Sequence, residues 1–223
     1  DARLEGHANI KIPGIEANTG VLGQGLSILA GLAVATKLQG KDYITNYAII
    51  GDGESQKGQI FEAAKDIAVK ARQGKIGKVI VFLDHNKLQI DGWVKDFDTD
   101  NPAAEWQAYG WQVMEVDGHD INQIITSIDE AKKVKDKPTL IICETVKGNG
   151  VSFMEAKANW HGVAPKKEQC EQALVEIGQP NEELIAQLIN QTKERNKEYK
   201  NQLSGRPALE SLIWKPAKPT RYE

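Results

Sequence analysis

NYAIIGDGESQKGQ at 46–59 and KVIVFLDHNKLQIDG at 78–92 share one shape: a short apolar run that ends in a polar loop. The first loop sets Asp52 between Gly51 and Gly53, and the second carries Asn86. Read as strands, the two runs deliver Asp52 and Asn86 to their carboxyl ends, where open α/β sheets bind ligands. A carboxylate and an amide oxygen suit a hard divalent cation that is also held by a diphosphate. The flanking glycines let backbone approach phosphate closely. An Asp between two glycines is by itself an ordinary turn residue. Its pairing with Asn86 after the next strand points toward binding.

Working outward, QGLSILAGLAVATKLQ at 24–39 reads as a helix that is apolar on nearly all sides, hence buried or at an interface. A strand is predicted at 47–50. A helix at 59–72 follows, with Ile60, Ala63, Ala64, Ile67, Ala68 and Ala71 on one face. The continuous apolar run at 78–83 fits a strand covered on both faces. Next come a short helix at 102–109, a strand at 111–116, a helix at 121–133 with the stripe Ile121, Ile124, Ile125 and Ile128, and a strand at 139–146. This alternation predicts an α/β fold: a parallel sheet with right-handed crossovers and helices on both faces. Residues 1–23 read as loop. Residues 167–203 are polar and helix-prone, and the last stretch, 206–223, carries three prolines and reads as extended. The expected organisation is an α/β domain over 1–165 and a helical extension with an extended tail over 166–223, with no internal repeat.

The 223 residues, 40% hydrophobic and 26% charged, suffice for one domain with a real core. A net charge of −3 argues against nucleic acid as a partner. No apolar run has the length of a membrane span, and the start carries no signal-peptide pattern. Cys143 sits in an apolar run and Cys170 in a charged segment, which makes neither a disulfide framework nor a zinc site. The cytoplasm is the expected compartment. The opening DARLEGHANI has no initiator Met, so a fragment or a lost upstream segment is expected.

The Gly-Asp-Gly to Asn pattern resembles the thiamine diphosphate motif. Together with GIEANTGVLGQGLS at 14–27 and DHNKLQIDG at 84–92, it resembles the transketolase family, over roughly residues 6–165. The resemblance implies thiamine diphosphate as cofactor and Mg²⁺ or Ca²⁺ held by Asp52, Asn86 and the Leu88 carbonyl. It implies that Gly51, Asp52 and Gly53 meet the diphosphate, with the Gly53 N–H donating to it. Gly20 and Leu22 would contact the aminopyrimidine end through backbone, and Ile90 would pack on the ring system. His7 aligns with a histidine that faces the substrate near the reactive carbon. His161, in Asn159-Trp160-His161-Gly162, aligns with one that contacts the diphosphate and the substrate hydroxyls. Imidazoles suit proton movement near neutral pH. His85 and His119, beside turn residues, read as structural. Lys147-Gly148-Asn149-Gly150 resembles the family's loop after the last strand.

Two departures qualify the match. Gln56-Lys57-Gly58 stands where the family has Gln-Glu-Gly, which puts an interface proton relay in doubt, although Glu62 is retained. The glutamate that activates the cofactor's pyrimidine belongs to another domain of the family. The expected function is therefore the diphosphate-binding subunit of a split transketolase, moving a two-carbon ketol unit from a ketose phosphate to an aldose. A second chain would bring the pyrimidine-binding domain, in a heterotetramer. The alternatives are a non-catalytic assembly subunit, or another thiamine diphosphate enzyme of the E1 dehydrogenase or deoxyxylulose phosphate synthase type.

Overall fold

The structure, a computed structural model, describes residues 7–99 and 101–178. In chain order its elements are α1 (Gln24–Leu38), β1 (Thr45–Gly51), α2 (Asp52–Ser55), α3 (Gly58–Arg72), β2 (Lys78–His85), β3 (Leu88–Gln89) and β4 (Gly92–Trp93). They continue with α4 (Pro102–Ala108), β5 (Gln112–Asp117), α5 (Ile121–Lys133), β6 (Thr139–Glu144) and α6 (Lys167–Glu176). Four strands form a parallel sheet in the order β1-β2-β6-β5, and β3 and β4 make a small antiparallel hairpin. The parallel α/β architecture is the one the alternation of apolar runs predicts.

β2 and β6 occupy the middle of the sheet, and both of their faces are covered. On one face Val79, Val81, Leu83, Leu140 and Ile142 pack with Leu26 of α1 and Ile60 and Ile67 of α3. Trp106 of α4 and Trp111 close this core edge to face, with ring centroids 4.7 Å apart. The buried Trp111 indole N–H donates to the Ala64 carbonyl at 2.9 Å, which gives its one polar atom a partner. On the other face Ile80, Ile141 and Cys143 pack beneath Ala131 of α5. Burial from both sides explains the unbroken apolar run of β2.

The structure departs from the expected stripe of α5. Ile128 packs toward the core, but the fully buried positions are Ser127 and Ala131, while Ile121 and Ile125 are 65% and 52% exposed. Small residues on the sheet-facing side let the helix approach closely, and Asp120 caps its start by accepting from the N–H groups of Asn122 and Gln123. Two short elements, the α2 turn and the β3–β4 hairpin, are additional to the expected ones. Of the polar segment 167–203, α6 is helical and is tied to the preceding loop by the Ser152 N–H and hydroxyl, both donating to the Glu176 carboxylate. From residue 179 on, that segment and the tail lie outside the described residues. Among the described residues no helix is long and apolar enough to cross a membrane.

Candidate cofactor site

The parallel register sets Gly51 beside Asp84 and Asp84 beside Cys143, so the loops after β1, β2 and β6 open at one end of the sheet. Gly51 is extended and passes directly into the α2 turn, which places Asp52 at its first position. Asp52 is only 4% exposed. Its carboxylate accepts the Lys87 backbone N–H at 2.8 Å, a bond that joins the first loop to the second. In that second loop the Asn86 side-chain oxygen accepts the Leu88 N–H at 3.1 Å and closes an Asx turn. Lys87 adopts a left-handed conformation, φ 63°, to make this turn.

His85 lies beneath the two loops, buried. Its Nδ1 is 2.6 Å from the Glu144 carboxylate at the end of β6, and its Nε2 is 3.8 Å from the Asp52 carboxylate. The Lys87 ammonium pairs with the other Glu144 oxygen at 2.8 Å. Burial pushes the Asp52 carboxyl up to about 6, against the opposing pull of His85 and of the Lys87 and Asn86 backbone N–H groups. Burial also pushes Glu144 up, but its bonds to Lys87 and His85 outweigh this and hold it below the usual value. The result is a desolvated carboxylate whose charge is only partly compensated.

Among the described residues no three His, Cys, Asp or Glu side chains converge to hold a metal unaided. The donors gathered here are one carboxylate, one amide oxygen and neighbouring carbonyls, all hard oxygens. Such a set fits Mg²⁺ or Ca²⁺, which take six or more oxygens, provided a diphosphate or water supplies the remainder. A Cβ on Gly53 would lie 3.4 Å from the Gln89 side-chain oxygen, an ordinary contact.

A separate cavity of about 600 Å³ is bounded by His7, Gly20, Leu22 and Glu54, with an apolar wall that includes Leu29 and Ile49. Gly20 permits the His7 ring to come near, since a Cβ on it would stand 3.3 Å from that ring. Glu54, on the wall of this cavity, accepts the N–H of Gly23 at 2.8 Å. Ile90 sits in the turn between β3 and β4, 73% exposed. His161 follows a 3₁₀ turn at Ala158–Trp160 and lies outside the residues that bound the His7 cavity. Partial desolvation and then the Lys147 ammonium hold its imidazole below the usual value. The loop that carries it is anchored where the Val146 N–H donates to His119 Nε2 at 2.8 Å and the Thr145 hydroxyl donates to Asp84.

The structure thus gathers Asp52, Asn86 and Leu88 in one group and His7, Gly20 and Leu22 in another. His161 and Ile90 stand at the ends of other loops. Sequence reasoning passed over Glu54 and Glu144 and took His85 as structural. The strand-end rule could have flagged Glu144, because it closes β6 as Asp52 follows β1.

Residues 1–213 match the family described as transketolase, thiamine diphosphate binding domain. The chain is 40% identical over 182 residues to one of the subunits of the apulose-4-phosphate transketolase of Phocaeicola vulgatus, covering 81% of this chain and 63% of that one. It is 39% identical over 167 residues to a 6-deoxy-6-sulfo-D-fructose transketolase subunit of a Clostridium species, covering 74% and 58%. Its fold is similar to that of Pichia stipitis transketolase solved with sedoheptulose-7-phosphate, with a TM-score of 0.70, 30% identity, and coverage of 86% of this chain and 30% of that one. Campylobacter jejuni transketolase is similar at a TM-score of 0.68 and 27% identity, with coverage of 92% and 34%. The chain therefore spans 63% and 58% of the length of the two subunits, and about a third of the full transketolases.

Proposed function

The chain belongs to the transketolase family, matching its thiamine diphosphate-binding domain, and from that premise we propose that it is the diphosphate-binding subunit of a two-chain transketolase. The observation that carries this reading is Asp52, buried at the end of β1 and tied by its carboxylate to the loop that holds Asn86. Asp52, Asn86 and the Leu88 carbonyl would hold Mg²⁺ or Ca²⁺. Gly51 and Gly53 leave room for the diphosphate, while Gly20, Leu22 and Ile90 would serve the ring end. When bound, thiamine diphosphate would supply a nucleophilic carbon for moving a two-carbon ketol unit from a ketose phosphate to an aldose.

The chain's own part is binding, orientation and proton transfer. His7 borders the cavity beside Gly20, where an imidazole can exchange protons with substrate hydroxyls. His161, its proton affinity lowered by desolvation and Lys147, is neutral near pH 7 and able to accept a proton. The two relatives bear names of subunits, which supports a second chain. In our reading that chain brings the pyrimidine-binding domain and its activating glutamate, in a heterotetramer. The cytoplasm is the proposed compartment.

The test is reconstitution with the partner subunit, followed by a ketol-transfer assay with Mg²⁺ and thiamine diphosphate. Transfer by the pair is expected, with negligible turnover by this chain alone. Asp52→Ala should lower the rate by at least about 100-fold, more than the loss of an outer-shell partner of a metal site. A fully active Asp52→Ala pair, or full activity of the isolated chain, would sink the reading.

A further inference from the structure

Glu54 has no part in the chemistry proposed for the site, yet it is the group that joins the site's two halves. It occupies the third position of α2, two residues beyond Asp52. That turn is locked: the Ser55 hydroxyl donates to the Asp52 carbonyl at 2.6 Å, and the Lys57 N–H donates to the Glu54 carbonyl at 3.0 Å. From it the Glu54 carboxylate reaches the Gly23 N–H, 31 residues earlier in the chain, at 2.8 Å.

Gly23 is the N-cap of α1 and has no side chain to cap the helix. N-terminal N–H groups of a helix need acceptors, and a negative charge there is favoured. Glu54 meets both needs from outside the helix. Gly23 is also buried with φ 91°, and a Cβ there would lie 3.2 Å from Lys57 Cβ. The loop with Gly20 and Leu22 is therefore seated on the segment that follows Asp52, and one charge-assisted hydrogen bond fixes where it sits.

We propose that Glu54 is a positioning residue that holds the 19–25 loop in register with the Asp52–Ser55 turn, and so couples the ring end of the site to its diphosphate end. The proposal rests on the thiamine diphosphate reading for what the site binds. The strut itself stands on the Glu54–Gly23 bond. A displacement of the turn when an anion and a cation settle on it is passed to the loop through this carboxylate.

Hydrogen exchange on the full chain tests it, with and without Mg²⁺ and inorganic diphosphate. Without ligand, Glu54→Ala should speed amide exchange at 19–25 by about tenfold, the scale of one hydrogen bond to a charged group, and leave β2 and β6 unchanged. Glu54→Gln, which keeps an acceptor oxygen, should restore most of the protection. With Mg²⁺ and diphosphate, exchange at 19–25 should slow in the wild type and in Glu54→Gln. In Glu54→Ala it should slow only at 51–55. Unchanged exchange in ligand-free Glu54→Ala, or an equal response of its loop to diphosphate, overturns the proposal. If the wild type fails to bind diphosphate, the diphosphate reading falls, and the ligand-free comparison still decides the strut.

Discussion

Asp52 shows what the burial of a single carboxylate costs a fold. In an unfolded chain its carboxyl titrates near 3.8, and in the folded protein near 6. Below both values it is protonated in either state and contributes nothing. Between them the folded chain binds the extra proton, so stability falls as pH rises through this window. Above about pH 6 the full cost remains, about 3 kcal/mol as an upper figure. His85 and the Lys87 and Asn86 backbone N–H groups offset only part of the cost of burial, and the Asp84 charge adds to it. Asp52→Asn keeps an acceptor for the Lys87 N–H and removes the charge. It should raise the melting temperature of the ligand-free chain by several degrees at pH 7.5 and by almost nothing near pH 3. Thermal melts at the two pH values check this, and a gain that is equal at both would assign the cost to another group. The Gly-Asp-Gly turn was legible in the sequence because its backbone needs are local. The His85–Glu144 bond was not, because its partners are 59 residues apart and meet only when β6 lies beside β2.

At the scale of elements, periodicity located the helices and set the rotation of α3, whose Ile60, Ala63, Ala64 and Ile67 are buried as expected, but not that of α5. The stripe on α5 was visible, yet Ile121 and Ile125 face solvent and the small residues meet the sheet. Ile121→Ala and Ile125→Ala should each change stability by no more than about 0.5 kcal/mol. Ile50→Ala, at a position in β1 that is 2% exposed, should cost about 2–5 kcal/mol. Urea denaturation separates the two classes, and equal costs would restore the expected stripe. The loop after β6 makes a different demand. Gly148 has φ 70°, and a Cβ on it would lie 2.7–2.9 Å from Met154 Cβ and backbone. Gly148→Ala combines about 1–2 kcal/mol for the left-handed conformation with a contact that backbone cannot relieve. The expected outcome is local opening of residues 147–160, seen as faster proteolysis there with the sheet still protected. His161 sits just beyond this stretch, so its position depends on that glycine.

On the scale of the whole molecule, the described sheet has a bare flank. β1 is an edge strand whose Tyr47 and Ile49 are 44% and 75% exposed, and Ile28 and Leu32 of α1 are partly exposed nearby on the wall of the same cavity. Parallel strands are ordinarily covered on both faces. On the proposed two-chain reading, the chain should bind Mg²⁺ and diphosphate through its own loops and turn over only in the pair. The sequence by itself determined the α/β alternation, the parallel sheet and the loops that carry Asp52 and Asn86. These follow from periodicity and turn chemistry within a few residues of chain. Tertiary structure alone decided that Glu144 meets His85, that Glu54 reaches Gly23, and that α5 turns its small face inward. Each of these depends on strand order and on the closeness of packing between segments dozens of residues apart, which no local pattern encodes.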